Sequence, residues 1–150
     1  MSVHTQTDQD ARRGWMSALA KADPARLAAL MPELPALEHL RPPEVGAVMV
    51  RGRIGATGAP FNLGEMTVTR CSVRLADGTV GHGYVQGRNK THALRSAAID
   101  ALMQTGQAVR LQALVLDVLV AEASAAQTQR AEKAAATKVD FFTMVRGEDA

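Results

Sequence analysis

Asp77 and Gly78 stand between two runs of β-forming residues, Thr67 to Leu75 and Thr79 to Gln86. An Asp-Gly pair in that setting is the strongest short-range hairpin signal a sequence carries. The spacing predicts an antiparallel pair with Asp77 and Gly78 as the two loop residues. Leu75 then faces Val80, Val73 faces His82, Cys71 faces Tyr84 and Thr69 faces Gln86 on a core side. On the other side Arg74 pairs with Gly81, Ser72 with Gly83 and Arg70 with Val85, which leaves two arginines standing over small residues. On this register His82 is a core-facing, hydrogen-bonded structural residue.

The rest of the chain supplies what a hairpin needs to become a domain. Trp15, Leu19, Leu27 and Leu30 recur at near-helical spacing, with Asp23 and Pro24 as a cap and first-turn signal, so two helices with a break near Lys21 are expected. Trp15 is read as the anchor of the first. Pro32, Pro35, Pro42 and Pro43 exclude a long helix in the next stretch and allow a short extended piece at Leu37 to Leu40. Val45 to Arg53 reads as a strand, and RIGATGAPFNLG after it as a glycine-rich loop. Asn89 is a good N-cap for a helix to about Thr105, with Leu94, Ala97, Ala98, Ala101 and Leu102 on its buried stripe, His92, Arg95 and Ser96 on another face, and Gly106 as the stop. A longer helix from about Leu111 to Lys138 begins apolar and thins to alanine and polar residues. The expected fold class is α+β: an antiparallel sheet with a central Asp-Gly hairpin, flanked by N-terminal and C-terminal helices, in a single domain over 1–150 with residues 1–7 disordered.

Apolar residues make up 47% of the 150 positions but aromatics only 3%, so alanine, leucine, valine and methionine must fill the core. Cys71 is the single cysteine, which excludes an intrachain disulfide and reads as a small buried residue. The polar start and the short, Asp117-broken run ALVLDVLVA contain no membrane span, and a cytoplasmic location is expected. The net charge is only +2. Between Arg51 and Arg95, however, seven basic residues stand against Glu65 and Asp77, a zone suited to an anionic partner.

The segment GHGYVQGRNKT sits at the end of that zone. A phosphate-binding P-loop would need glycine at Tyr84 and Asn89, and a dinucleotide fingerprint would need its third glycine at Gln86, so both fail. What remains is a basic turn at a helix N-terminus, where Arg88 and Lys90 could attend an anion. The four histidines are scattered and no nucleophile elbow appears, so neither a metal site nor a catalytic residue is expected. The ending VDFFTMVRGEDA places Phe141 and Phe142 in the last ten residues, an apolar terminus that needs a sheet or another subunit against it.

Three blocks, RGWMSALA, VRLADGTVGHGYVQGRNKTHALRSAAIDALMQ and VDFFTMVRGEDA, together with RIGATGAPFNLGEMTVTR, resemble the PhnG family, the G subunit of the bacterial carbon-phosphorus lyase system. The resemblance implies a non-autonomous subunit that, with H, I and L partners, is required to replace the adenine of MgATP by a phosphonate, giving a ribose 1-phosphonate 5-triphosphate. It also implies a core complex with H, I and J, the I subunit being the expected direct contact. MgATP is then a substrate of the complex, with no cofactor bound by this chain alone. The alternative from another class is a small basic-faced nucleotide- or nucleic-acid-binding module, against which the scarcity of stacking aromatics and the small net charge both count. Candidates for anion or partner binding are Arg70, Arg74, Gln86, Gly87, Arg88, Lys90 and His92, and for partner docking Phe141, Phe142, Met144 and Arg146.

Overall fold

The structure, a computed structural model, describes residues 3–139. It divides into two units, 1–120 and 121–150. In the first, helices α1 (Val3–Lys21) and α2 (Pro24–Leu30) precede a three-stranded antiparallel sheet of β1 (Leu37–Arg53), β2 (Pro60–Leu75) and β3 (Val80–Gln86) in the order β1-β2-β3. Helix α3 (Lys90–Leu102) follows, then α4 (Ala108–Leu111), a π-turn over Gln112–Leu116, and α5 (Asp117–Ala136). This is the α+β arrangement expected from the sequence. Among the described residues no helix is long and apolar enough to cross a membrane.

Local chemistry accounts for the boundaries. Asp23 caps α2 by accepting from the Arg26 N–H at 2.8 Å, with Pro24 in the first turn, where a missing N–H costs nothing. Asn89 caps α3 through the His92 N–H at 2.9 Å. That helix ends at Leu102, three residues before Thr105, in a run of turns that extends through Gly106. Pro42 and Pro43 lie within β1, on the sheet's outer strand, where the register slips between His39 and Arg41 and again between Arg41 and Glu44. An edge strand with bulges tolerates proline because no ladder hydrogen bond is required there. The expected glycine-rich loop is therefore short: Gly58 N–H bonds Ile54 C=O at 2.9 Å, Gly55 takes φ +59°, and β2 already begins at Pro60.

The hairpin register differs from expectation by one residue. Arg74 pairs with Val80, Ser72 with His82, Cys71 with Gly83 and Arg70 with Tyr84. The loop has three residues, not two. Gly78 N–H closes a turn on Leu75 C=O at 3.0 Å, Gly78 adopts φ +89°, and Leu75 N–H bonds Thr79 C=O at 2.9 Å. This is a type I turn followed by a left-handed bulge glycine. A shift of one residue reverses the whole of β3: Gly81, Gly83 and Val85 face the core, while His82 and Tyr84 are exposed.

The reversal is imposed by α3. A Cβ on Gly81 would fall against the Ala97 carbonyl and 2.5 Å from the Ala101 N, and one on Gly83 against the Ala93 carbonyl and 3.0 Å from the Ala97 N. Ala93, Ala97 and Ala101, four residues apart, thus form a flat stripe whose backbone rests on the bare glycines. The core they enclose holds Leu19, Leu27, Val73, Val85, Ile99 and Leu116 among its members. From Ala121 to Val139 every residue is exposed.

Candidate functional site

The basic zone of the sequence separates in space into three places. The first is the β3–α3 turn. Gly87 N–H bonds the Thr67 carbonyl at 2.8 Å, and the Gly87 carbonyl accepts from the Thr69 hydroxyl at 2.7 Å, with Gly87 at φ +88°. Only glycine takes that angle cheaply. The anchored turn presents Gln86, Arg88 and Lys90 to solvent beside the capped start of α3. The Gly81 and Gly83 pair that precedes it serves helix packing, and leaves no cradle for phosphate.

The second place is the outer face of the sheet. Arg74 donates to Glu38 Oε2 from Nε at 3.2 Å and from Nη2 at 2.7 Å, and Arg70 Nη2 lies 3.6 Å from Glu44 Oε1. The expectation that these arginines stand free over small residues is corrected on both counts. Their cross-strand neighbours are Tyr84 and Val80, and each has a carboxylate from β1. Between them the Ser72 hydroxyl and His82 Nδ1 are 2.9 Å apart. Such exposed pairs contribute little stability, but they neutralise the face. The third place, Arg51 and Arg53, lies at the far end of β1.

The most ordered polar cluster was not among the sequence candidates. Asp100 is fully buried in α3. Its Oδ1 accepts from Trp15 Nε1 at 2.8 Å and Arg12 Nε at 3.1 Å, and its Oδ2 from Arg12 Nη2 at 2.7 Å and the His82 backbone N–H at 2.8 Å. One carboxylate thereby ties α1, α3 and the edge of β3 together. Four donors on a buried carboxylate meet the requirement that an interior charge be both paired and hydrogen-bonded. The signal that could have found it is an aspartate flanked by Ala97, Ala98, Ile99 and Ala101 on an otherwise apolar helix.

His92 is likewise inside. It is 5% exposed, and its Nε2 meets the Leu19 carbonyl at 2.8 Å, so that nitrogen carries the proton. Placed on an outward face with Arg95 and Ser96 from the sequence, it is instead a brace between α3 and α1, because the Ala-rich helix is covered on more than one side. Arg95 Nε is bonded to the Met31 carbonyl at 2.9 Å. Ser96 is also buried; its hydroxyl has no partner among the described residues, and the residue lines a cavity of about 220 Å³ with Met16, Leu19 and Tyr84. Cys71 is buried too, and burial pushes its thiol pKa up, the opposite of what a nucleophile needs.

Phe141, Phe142, Met144 and Arg146 lie outside the described residues. Among the described residues no group of three or more His, Cys, Asp or Glu side chains is placed to hold a metal ion. The arrangement thus offers a basic turn, a neutralised polar face and a rigid internal brace.

Comparison with known proteins gives this arrangement its context. Residues 10–147 match the family model described as phosphonate metabolism protein PhnG. A curated relative, the alpha-D-ribose 1-methylphosphonate 5-triphosphate synthase subunit PhnG of Rhizobium meliloti (strain 1021), is 45% identical over 141 residues, covering 92% of this chain and 90% of the relative. With nearly the whole chain matched on both counts, it belongs to the PhnG family of phosphonate metabolism proteins.

Proposed function

We propose that this chain is a non-autonomous subunit of a ribose 1-methylphosphonate 5-triphosphate synthase, required with partner subunits to replace the adenine of MgATP by a phosphonate. The observation that carries the reading is its end-to-end similarity to a protein named as a subunit of that synthase. The partners are the H, I, J and L subunits of the carbon-phosphorus lyase system, with the I subunit as the direct contact, and the nucleotide is a substrate of the assembly. The geometry supports a docking role over a catalytic one: the buried groups Asp100 and His92 are engaged in bonds inside the fold. Gln86, Gly87, Arg88 and Lys90 are the candidates for an anion or a partner. Arg70 and Arg74 could join them only by giving up their carboxylates. Phe141, Phe142, Met144 and Arg146 are the candidates for docking through the tail.

The test is reconstitution. Adenine release from MgATP with methylphosphonate is measured with the partner subunits, with and without this chain, and with this chain alone. Turnover should require the chain together with its partners. Equal turnover without it, or robust turnover by it alone, would overturn the reading. Alanine at both Phe141 and Phe142 should weaken assembly strongly, as truncation of buried aromatic anchors does, while an Arg88→Ala/Lys90→Ala variant should assemble normally if those charges serve an anion. Loss of assembly in the second variant would assign the turn to docking instead.

A further inference from the structure

β1 and β2 continue past the end of β3. The last β2–β3 pair is Val68 with Gln86, whereas β1–β2 pairing runs on from Val45 opposite Thr69 to Arg53 opposite Pro60. Residues 45–67 therefore form a two-stranded ribbon that extends past the three-stranded region, and none of them is buried. Among the described residues no third strand pairs with this ribbon, and a two-stranded hairpin by itself is marginal in water.

The two faces of this ribbon have different chemistry. Strand alternation puts Val48, Val50 and Gly52 on one face, with Met66 and Phe61 as their cross-strand partners. A bulge between Val50 and Arg51 brings Leu63 to the same side: a Cβ on Gly52 would lie 3.5 Å from the Phe61 ring and 3.9 Å from the Leu63 Cβ. Phe61 is 41% exposed and Leu63 66%. That apolar stripe continues the outer face of the sheet, which is polar and ion-paired where three strands are present. The opposite face carries Met49, 53% exposed, and then Arg51 and Arg53. Neither arginine has an ion pair among the described residues; Arg53 Nη1 meets only the Gly58 carbonyl, at 3.2 Å. Glu65 is the one acid between Val45 and Thr67.

From this geometry, and resting on the subunit reading above, we infer that the 45–67 ribbon is an insertion arm: its Val48, Val50, Phe61, Leu63 and Met66 face is completed by an apolar groove on a different subunit of the synthase, and Arg51 and Arg53 meet carboxylates on the groove's rim. Charge decides against a second copy of this chain as the occupant. A copy offers two more arginines and a single glutamate at the contact, whereas a carboxylate-rimmed groove satisfies both arginines. An aromatic and arginines around an apolar centre are also the side chains that dominate interface energetics. Because the ribbon contributes nothing to the buried core, substitutions on it separate docking from folding.

The test co-expresses the tagged chain with the H, I, J and L subunits and measures recovery of the assembly for wild type, Phe61→Ser/Leu63→Ser and Arg51→Glu/Arg53→Glu. Amide hydrogen exchange over 45–67 is followed in the isolated chain and in the assembly. The expected result is at least a roughly tenfold loss of recovery for both variants, with thermal melts of the isolated chains unchanged, and exchange that is fast in isolation and slowed on assembly. If wild type is recovered and both variants are recovered equally well, the arm inference fails while the subunit reading stands. If wild type is not recovered with any partner, the subunit reading fails first and takes the arm with it. Protection of 45–67 in the isolated chain, with a dimer by sedimentation that Phe61→Ser/Leu63→Ser dissolves, would make the occupant a second copy and overturn the assignment.

Discussion

Replacing Asp100 by Asn changes almost no volume and tests whether one buried carboxylate holds α1 to the sheet. Both carboxylate oxygens accept two donors each: Trp15 Nε1 and Arg12 Nε on Oδ1, Arg12 Nη2 and the His82 N–H on Oδ2. An amide can place its oxygen on either side only. Whichever way it turns, its NH₂ meets two donors, one of them the Trp15 indole or the His82 backbone, which have no route to another acceptor within the cluster. A donor left unsatisfied costs about 1–3 kcal/mol, and hydrogen bonds to a charged acceptor contribute about 1.5–3 kcal/mol each. The Arg12 side chain is 32% exposed and can turn to water, which moderates its share. The sum is about 3–4 kcal/mol, below the upper end for breaking a buried ion pair. For a unit of this size that corresponds to roughly 10 °C in melting temperature. Urea titration followed by far-UV circular dichroism measures it, and Trp15→Phe, which removes a single donor to the charged acceptor, should cost about 1.5–3 kcal/mol through the hydrogen bond alone. An Asp100→Asn variant within 1 kcal/mol of wild type would refute the reasoning, since the four donors would then have found water.

Gly83→Ala should destabilise by about 3 kcal/mol or more, since its methyl meets helix backbone that cannot rotate away; a soluble variant with an unchanged urea midpoint would contradict the glycine–alanine contact. Ser96→Ala should be neutral or stabilising by up to about 1 kcal/mol, because the buried hydroxyl makes no bond among the described residues, and a clear loss in the same titration would show that it is bonded. Cys71 has its thiol pKa raised by burial, so the native state holds that proton longer than the unfolded one. Its share of stability is complete below about pH 8.5 and falls as pH rises through the native value; wild type should therefore lose more stability than Cys71→Ala between neutral and alkaline pH, and an identical loss would exclude the coupling. Asp77 has a lowered pKa, chiefly through the Thr79 N–H at 2.8 Å, so its effect on the turn is present above about pH 4 and is lost as pH falls through the native value. Asp77→Asn should flatten that acid limb, as read by urea midpoints at successive pH values.

Elements whose cause is local were legible in the sequence. Asp23 and Asn89 cap helices because a short side-chain oxygen reaches a backbone N–H three residues on, and the Asp-Gly pair turns the chain because glycine accepts a positive φ. The α+β class and family membership also follow from the sequence, through alternation, periodicity and long matched blocks. What tertiary structure alone decided is which way β3 faces. Two-residue and three-residue turns both suit Ala76-Asp77-Gly78, and alternation over GHGYVQ is weak when two of its six positions are glycine. Contact with the Ala93, Ala97 and Ala101 stripe selects the register that buries Gly81 and Gly83, and with it sends His82 outward and leaves Arg70 and Arg74 to Glu44 and Glu38. The same holds for Asp100 and for the ribbon: an ion pair spanning 88 positions and a sheet that loses its third strand at Val68 are set by the packing of distant segments, which no local propensity encodes.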